Sequence, residues 1–160
     1  MSYNKQRLIP FALLLIGVWA YGSPLQSIVE NWSSNADYSH GFIVPFICAA
    51  ILHLRRESLP EMAPTVSFAG LALMLFACLM RYSSGRLYFP ELDAWSLPVW
   101  IGGWVWMCFG WRCFRWAAPA IGFLCFAMPL PATIEIALST PLQKLAAGCS
   151  AWTLRLFSQP

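Results

Sequence analysis

With 59% of its 160 residues hydrophobic and only 11% charged, the chain cannot cover its apolar surface in water. Soluble domains average about 45–50% apolar and about 25% charged, so a soluble globular domain is excluded. A net charge of +3 without a basic cluster excludes a nucleic-acid binder. What remains is an all-α, multi-pass helical membrane bundle, and nine tryptophans agree with it.

The first seven residues form a short polar head with Lys5 and Arg7, and residues 8–21 follow without a charge. The pair resembles a signal peptide, with Ala20-Tyr21-Gly22 as a small-x-small cleavage site. Further apolar runs follow, so an uncleaved first span is expected. Residues 23–40 are polar, hold Glu30, Asn31, Asn35 and Asp37, and contain no lysine or arginine. The second run is 41–54, closed by His53, Arg55 and Arg56. A proline-bearing linker (57–64) leads to the third run, 66–80. Polar residues 81–93 precede the tryptophan-dense fourth run, 94–111; Arg112 and Arg115 bracket an expected short turn before the fifth, 116–130. Several runs fall short of the roughly 20 residues needed to cross about 30 Å of hydrocarbon. Flanking tyrosines, tryptophans and serines lengthen them at the headgroup level.

Charge orients the bundle. If the spans alternate, Lys5, Arg7, Arg55, Arg56, Arg112 and Arg115 share one side, against Arg81 and Arg86 on the other. The excess of Lys and Arg marks the cytoplasm, which puts the amino terminus inside. Asp37-Tyr38-Ser39-His40 and Met128-Pro129-Leu130-Pro131 then face the same, outer side. Residues 132–157 have helical apolar spacing but include Glu135, Gln143, Lys144 and Arg155. Two pieces broken at Thr140-Pro141 are expected there, the second an amphipathic surface helix; a sixth span is the alternative. About five spans plus this last helix make one integral-membrane domain over residues 1–160.

Candidate chemistry concentrates at Asp37-Tyr38-Ser39-His40-Gly41-Phe42, where an acid, a phenol, a hydroxyl and an imidazole stand together. Adjacent residues seldom form a catalytic triad, whose members converge from distant segments. The plainer role is a helix start, with Asp37 or Ser39 capping the first turn and Gly41 permitting close packing. A place in a substrate groove is compatible with capping. His40 and His53 are about 20 Å apart if the second run is helical, so they cannot share a metal, and no metal or cofactor is expected. The six cysteines (Cys48, Cys78, Cys108, Cys113, Cys125, Cys149) lie mostly in apolar runs, read as packing residues, and have neither disulfide nor zinc spacing. Cys149 falls mid-helix with Arg155 off its face, so nothing there stabilises a thiolate. Gly102 and Gly103 suit close helix approach, and Trp100, Trp104 and Trp111 share one helical stripe suited to packing or lipid contact.

Trp32, Asp37 to Phe42 with Val44-Pro45, Arg55-Arg56, Phe126 to Pro131, and Pro141-Leu142-Gln143 with Leu145-Ala146 occur in this order. The ordered set resembles the amino-terminal part of the exosortase/archaeosortase family. The resemblance implies a multi-pass inner-membrane cysteine peptidase or transpeptidase of bacteria, acting on exported proteins with a carboxy-terminal sorting signal: a Pro-Glu-Pro-like motif, a span and a basic tail. It implies a link to exopolysaccharide systems. The family nucleophile lies in a Cys-Ser-Gly-type motif after the Pro-Leu-Gln helix, assisted by arginine and histidine. Here Cys149 precedes Ser150 and Ala151, inside that helix, so the nucleophile role does not transfer to it. The expectation is a scaffold half without peptidase activity of its own, with Asp37, Tyr38, Ser39, His40 and Gln143 nearest the groove. The rival reading is a non-enzymatic membrane scaffold of polysaccharide export. A transporter would favour broken spans with polar residues at mid-depth, which these runs lack.

Overall fold

The computed structural model describes residues 3–60 and 67–157, and among these it contains helices and no strand. The chain divides into two compact units, Met1–Pro129 and Leu130–Pro160. In the first, α1 (Tyr3–Ala20) bends by 53° into α2 (Gly22–Ser34). A 3-10 turn (Ala36–Phe42) then leads into α3 (Val44–Leu54), followed by α4 (Phe68–Leu87) and α5 (Pro90–Leu124). By length and composition Ala36–Leu54 and Phe68–Leu87 are apolar enough to cross a bilayer, and the bent α1–α2 pair makes a third. The all-helical membrane fold expected from composition is therefore present, with two or three candidate spans by this measure.

Helix α2 departs from the sequence reading, which left residues 23–40 as a polar connection. Pro24, Ile28 and Trp32 recur every fourth residue and are buried, so a single narrow apolar stripe holds an otherwise polar helix on the core. Its other faces keep Ser23, Ser27 and Glu30 exposed.

Helices α4 and α5 form a hairpin. Tyr88 ends α4 in the left-handed region (φ 55°, ψ 37°), and Pro90, whose ring fixes φ, starts α5. Ser84 donates its hydroxyl to the Phe89 carbonyl at 2.8 Å, closing the turn from inside. At the far end the Ser67 amide reaches the Met107 carbonyl at 3.3 Å. Between them Gly70 lies against the Met107 backbone and Gly103 against Met74, so small residues let the two helices touch backbone to backbone. The close approach read from Gly102 and Gly103 holds.

The second half of α5 turns back on the first. Gly110 has φ 81° and ψ 176°, a conformation glycine adopts without strain. On a straight helix residues 102 and 114 would stand about 18 Å apart. A Cβ built on Gly102 instead meets the Phe114 ring at 3.1 Å, and the Trp106 and Phe114 rings stack at 5.1 Å. The reversal thus sits at Gly110 rather than at the expected Arg112–Arg115 turn, and both arginines belong to the returning arm. The supposed stripe of Trp100, Trp104 and Trp111 is cut by the same reversal: Trp100 is buried, while Trp111 lies beyond Gly110 and is exposed.

In the second unit, α6 (Ala132–Phe157) runs through Pro141 without a break, against the expected division at Thr140-Pro141. Thr140 turns its hydroxyl back to the Ile136 carbonyl at 2.7 Å, and Ser139 does so at 3.5 Å, one residue before the Ala137 carbonyl that the missing proline N–H would have served. All six cysteines are free; Cys108 and Cys113 are buried and Cys48 and Cys125 half-buried. Cys78 and Cys149 are exposed instead of packed.

Candidate functional site

One end of the first unit is built around an irregular corner. Helix α5 tightens into a 3-10 turn at Cys125–Ala127, and the chain then extends through Met128 (φ −84°, ψ 138°) toward Pro129. Extended backbone rich in proline leaves carbonyls with no helical donor. Three side chains from distant parts of the chain supply donors. His40 Nε2–H donates to the Phe126 carbonyl at 3.1 Å, Trp32 Nε1–H to Ala127 at 2.8 Å, and Trp95 Nε1–H to Pro129 at 2.9 Å. The Asp37–His40 stretch and the Met128–Pro129 stretch therefore meet at one end of the bundle.

The turn carrying Asp37 to His40 is pinned from both sides. Asn35 Oδ1 accepts the Asp37 amide at 3.1 Å, so the cap comes from Asn35 and not, as expected, from Asp37 or Ser39. Ser39 points its hydroxyl back at the Ala36 carbonyl, 2.8 Å away. Gly41 sits directly on the Trp32 indole, where any side chain would collide, and Phe42 meets the same indole edge-on at 5.4 Å. Asp37, Ser39 and His40 are exposed, and Tyr38 is half-buried against the core with its ring 6.4 Å from that of His40. Four of the five expected groove residues thus share one exposed turn. The fifth, Gln143, is an exposed residue of α6 in the second unit.

The opposite end of the first unit gathers cations. Trp116 Nε1–H donates to the Arg55 carbonyl at 2.9 Å, which ties the end of α3 to the returning arm that bears Arg112 and Arg115. Arg56 Nη1 lies 3.3 Å from His53 Nε2. His40 and His53 stand at opposite ends of α3. Among the described residues no three of His, Cys, Asp and Glu lie close enough together to hold a metal.

A second polar assembly was not singled out from the sequence. Arg81 on α4 pairs with Asp93 on α5 at 3.7 Å, and its guanidinium lies 5.0 Å over the Tyr21 ring. The Tyr21 hydroxyl accepts from Ser96 Oγ at 3.1 Å. Arg81 and Asp93 thus form one cation–carboxylate pair between α4 and α5. Beside this pair opens a cavity of about 420 Å³, walled by Asn31 of α2, Ser84 and Tyr88 at the end of α4, and Glu91 and Asp93 at the start of α5. The available signal was symmetry: once Tyr88-Phe89-Pro90 is read as a hairpin turn, Arg81 and Asp93 flank it on facing helices.

A family model described as transmembrane exosortase matches residues 32–160, well over half of the chain. No curated protein and no solved structure matches it.

Proposed function

Because the chain belongs to the transmembrane exosortase family, we propose that it supplies the scaffold and outer groove of a membrane cysteine peptidase or transpeptidase. Its substrates are exported proteins with a carboxy-terminal Pro-Glu-Pro-type sorting signal, in a bacterial inner-membrane system linked to exopolysaccharide. The observation that carries this reading is the junction of His40 with the Phe126 carbonyl, which joins segments 86 residues apart. A fixed, irregular, partly exposed surface at the end of a helical bundle suits an extended peptide emerging from the bilayer. Asp37, Tyr38, Ser39 and His40 line that surface, and Gln143, on α6 of the second unit, is a further proposed substrate contact. In the chemistry of the family a thiolate attacks the scissile carbonyl, the amine leaves with a proton, and the thioester passes to water or another amine. No cysteine described here takes the nucleophile role; Cys149 stands mid-helix and exposed, with Gly148 and Ser150 beside it.

The experiment follows a sorting-signal reporter in cells carrying the intact enzyme. His40→Ala is expected to lower processing about tenfold, a barrier change near 1.4 kcal/mol, with the enzyme's abundance unchanged. Unaltered processing would remove His40 from the groove. Processing that persists without the gene, together with lost polysaccharide export, would instead assign a non-enzymatic scaffold.

The same reading gives five passes: α1, α3, α4 and the two arms of α5, with the amino terminus in the cytoplasm. It is supported by Arg55, Arg56, Arg112 and Arg115 sharing the end opposite His40. In a background lacking native cysteines, Ser34→Cys should react with an impermeant maleimide on intact cells. Ser58→Cys should react only after permeabilisation. The reverse pattern inverts the topology and removes the groove from the exterior.

A further inference from the structure

We infer that the cavity between α2, α4 and α5 holds the primary ammonium head of a membrane aminophospholipid. The inference is independent of the peptidase reading. Among the described residues four side-chain polar atoms are shielded from solvent without a hydrogen-bond partner: Arg81 Nη1, which is off the cavity wall, and on the wall Asn31 Oδ1, Glu91 Oε2 and Asp93 Oδ1. Of the wall atoms, all three are acceptors. A buried acceptor left unmatched costs about 1–3 kcal/mol, so the wall calls for a ligand that brings donors. A primary ammonium brings three N–H donors on one atom.

Charge selects the same group. Arg81 lies 3.7 Å from Asp93 and offsets it, while Glu91 has no cationic partner among the described residues. One negative charge is left for one positive charge. A quaternary choline head carries the charge but no N–H, and would leave all three oxygens unmatched.

The lipid origin of the amine comes from what adjoins the cavity. A second cavity of about 310 Å³ shares Ile28 as a wall and is lined only by apolar surface, including Leu25, Trp32, Leu97 and Trp100. The polar pocket and the apolar slot lie on neighbouring strips of α2, in a chain whose helices face a bilayer. A water-soluble amine would fill the first and leave the second exposed to lipid; an amphiphile fills both.

The test is native mass spectrometry of the full chain released from micelles containing equal dioleoyl-phosphatidylethanolamine, -phosphatidylcholine and -phosphatidylglycerol. The ethanolamine lipid is expected to be retained about tenfold over the choline lipid. Glu91→Gln with Asp93→Asn should erase that preference. Ser27→Lys should erase it as well, by placing the chain's own ammonium at the cavity rim while keeping the Arg81–Asp93 pair; Ser27 is exposed, so this variant is expected to keep its helical circular dichroism. Equal retention of the choline lipid, or a preference that survives in folded Ser27→Lys protein, overturns the proposal. Soluble glycerophosphoethanolamine competing as well as the intact lipid would overturn the lipid source and assign a free amine.

Discussion

Trp32→Ala is expected to lower the stability of the first unit by about 3–5 kcal/mol, the range for deleting a large buried aromatic side chain. The indole does three things at once. It fills the core with 9% of its surface exposed, donates to the Ala127 carbonyl at 2.8 Å, and forms the floor on which Gly41 and Phe42 rest. Alanine removes the floor under the Asp37–His40 turn and the donor of the Phe126–Pro129 corner together, so both sides of the proposed groove should loosen. Trp32→Phe separates the contributions. It keeps most of the ring and loses only the N–H, leaving the carbonyl of fully buried Ala127 without its donor at a cost of about 1–3 kcal/mol. The checks are the melting midpoint in detergent and the maleimide reactivity of native Cys125, which is half-buried at the corner. Trp32→Ala should lower the first and speed the second, with Trp32→Phe between it and the native protein. A native-like midpoint for Trp32→Ala would show that the corner is held by His40 and Trp95 alone.

Trp32 also marks how far the sequence could be read. Composition gave the class of fold, because so few charges cannot solvate so much apolar surface, and apolar runs located α1, α3 and α4. That Asp37–His40 and the Met128–Pro129 stretch share one end followed from counting passes, whereas their contact through His40 and Trp32 did not. What escaped was everything set by a single residue in tertiary context. Helix α2 rests on a stripe of three residues in a polar segment, too narrow to stand out against its serines, Glu30 and Asn31. The reversal in α5 sits at Gly110 because a positive φ decides it, whereas charge drew attention to Arg112 and Arg115. The cap at Asn35 is a local side-chain choice among several candidates in six residues. The Arg81–Asp93 pair and its cavity required knowing which helices face each other. Proline misled at 141, because α6 keeps its course there although proline removes one N–H from its ladder.

The α4–α5 crossing yields the second large effect. Gly70→Ala is expected to destabilise by at least the upper end of the about 1–3 kcal/mol typical of overpacking, although it adds a single methyl to a helix. The added Cβ would collide with the Met107 backbone nitrogen and come within 2.6 Å of its Cα. Neither atom belongs to a side chain that can rotate away, so α4 must move off α5. Gly85→Ala on the same helix is the control. A Cβ there meets nothing within 4 Å, and replacing a helical glycine with alanine should stabilise by about 0.5–1 kcal/mol. Opposite signs for the same substitution on one helix isolate the crossing from helix propensity. Gly103→Ala should also destabilise, since its Cβ would stand 2.8 Å from the Met74 nitrogen and 3.1 Å from the Gly70 carbonyl. Combining the two should cost less than their sum, because the separation forced by the first methyl makes room for the second. Melting midpoints of the single and double variants measure this coupling. If Gly70→Ala instead matched Gly85→Ala, the two backbones would not touch at that point. The hairpin that aligns Arg81 with Asp93 would then need another support, because the crossing at Gly70 and Gly103 is what fixes the register of the two helices on either side of it.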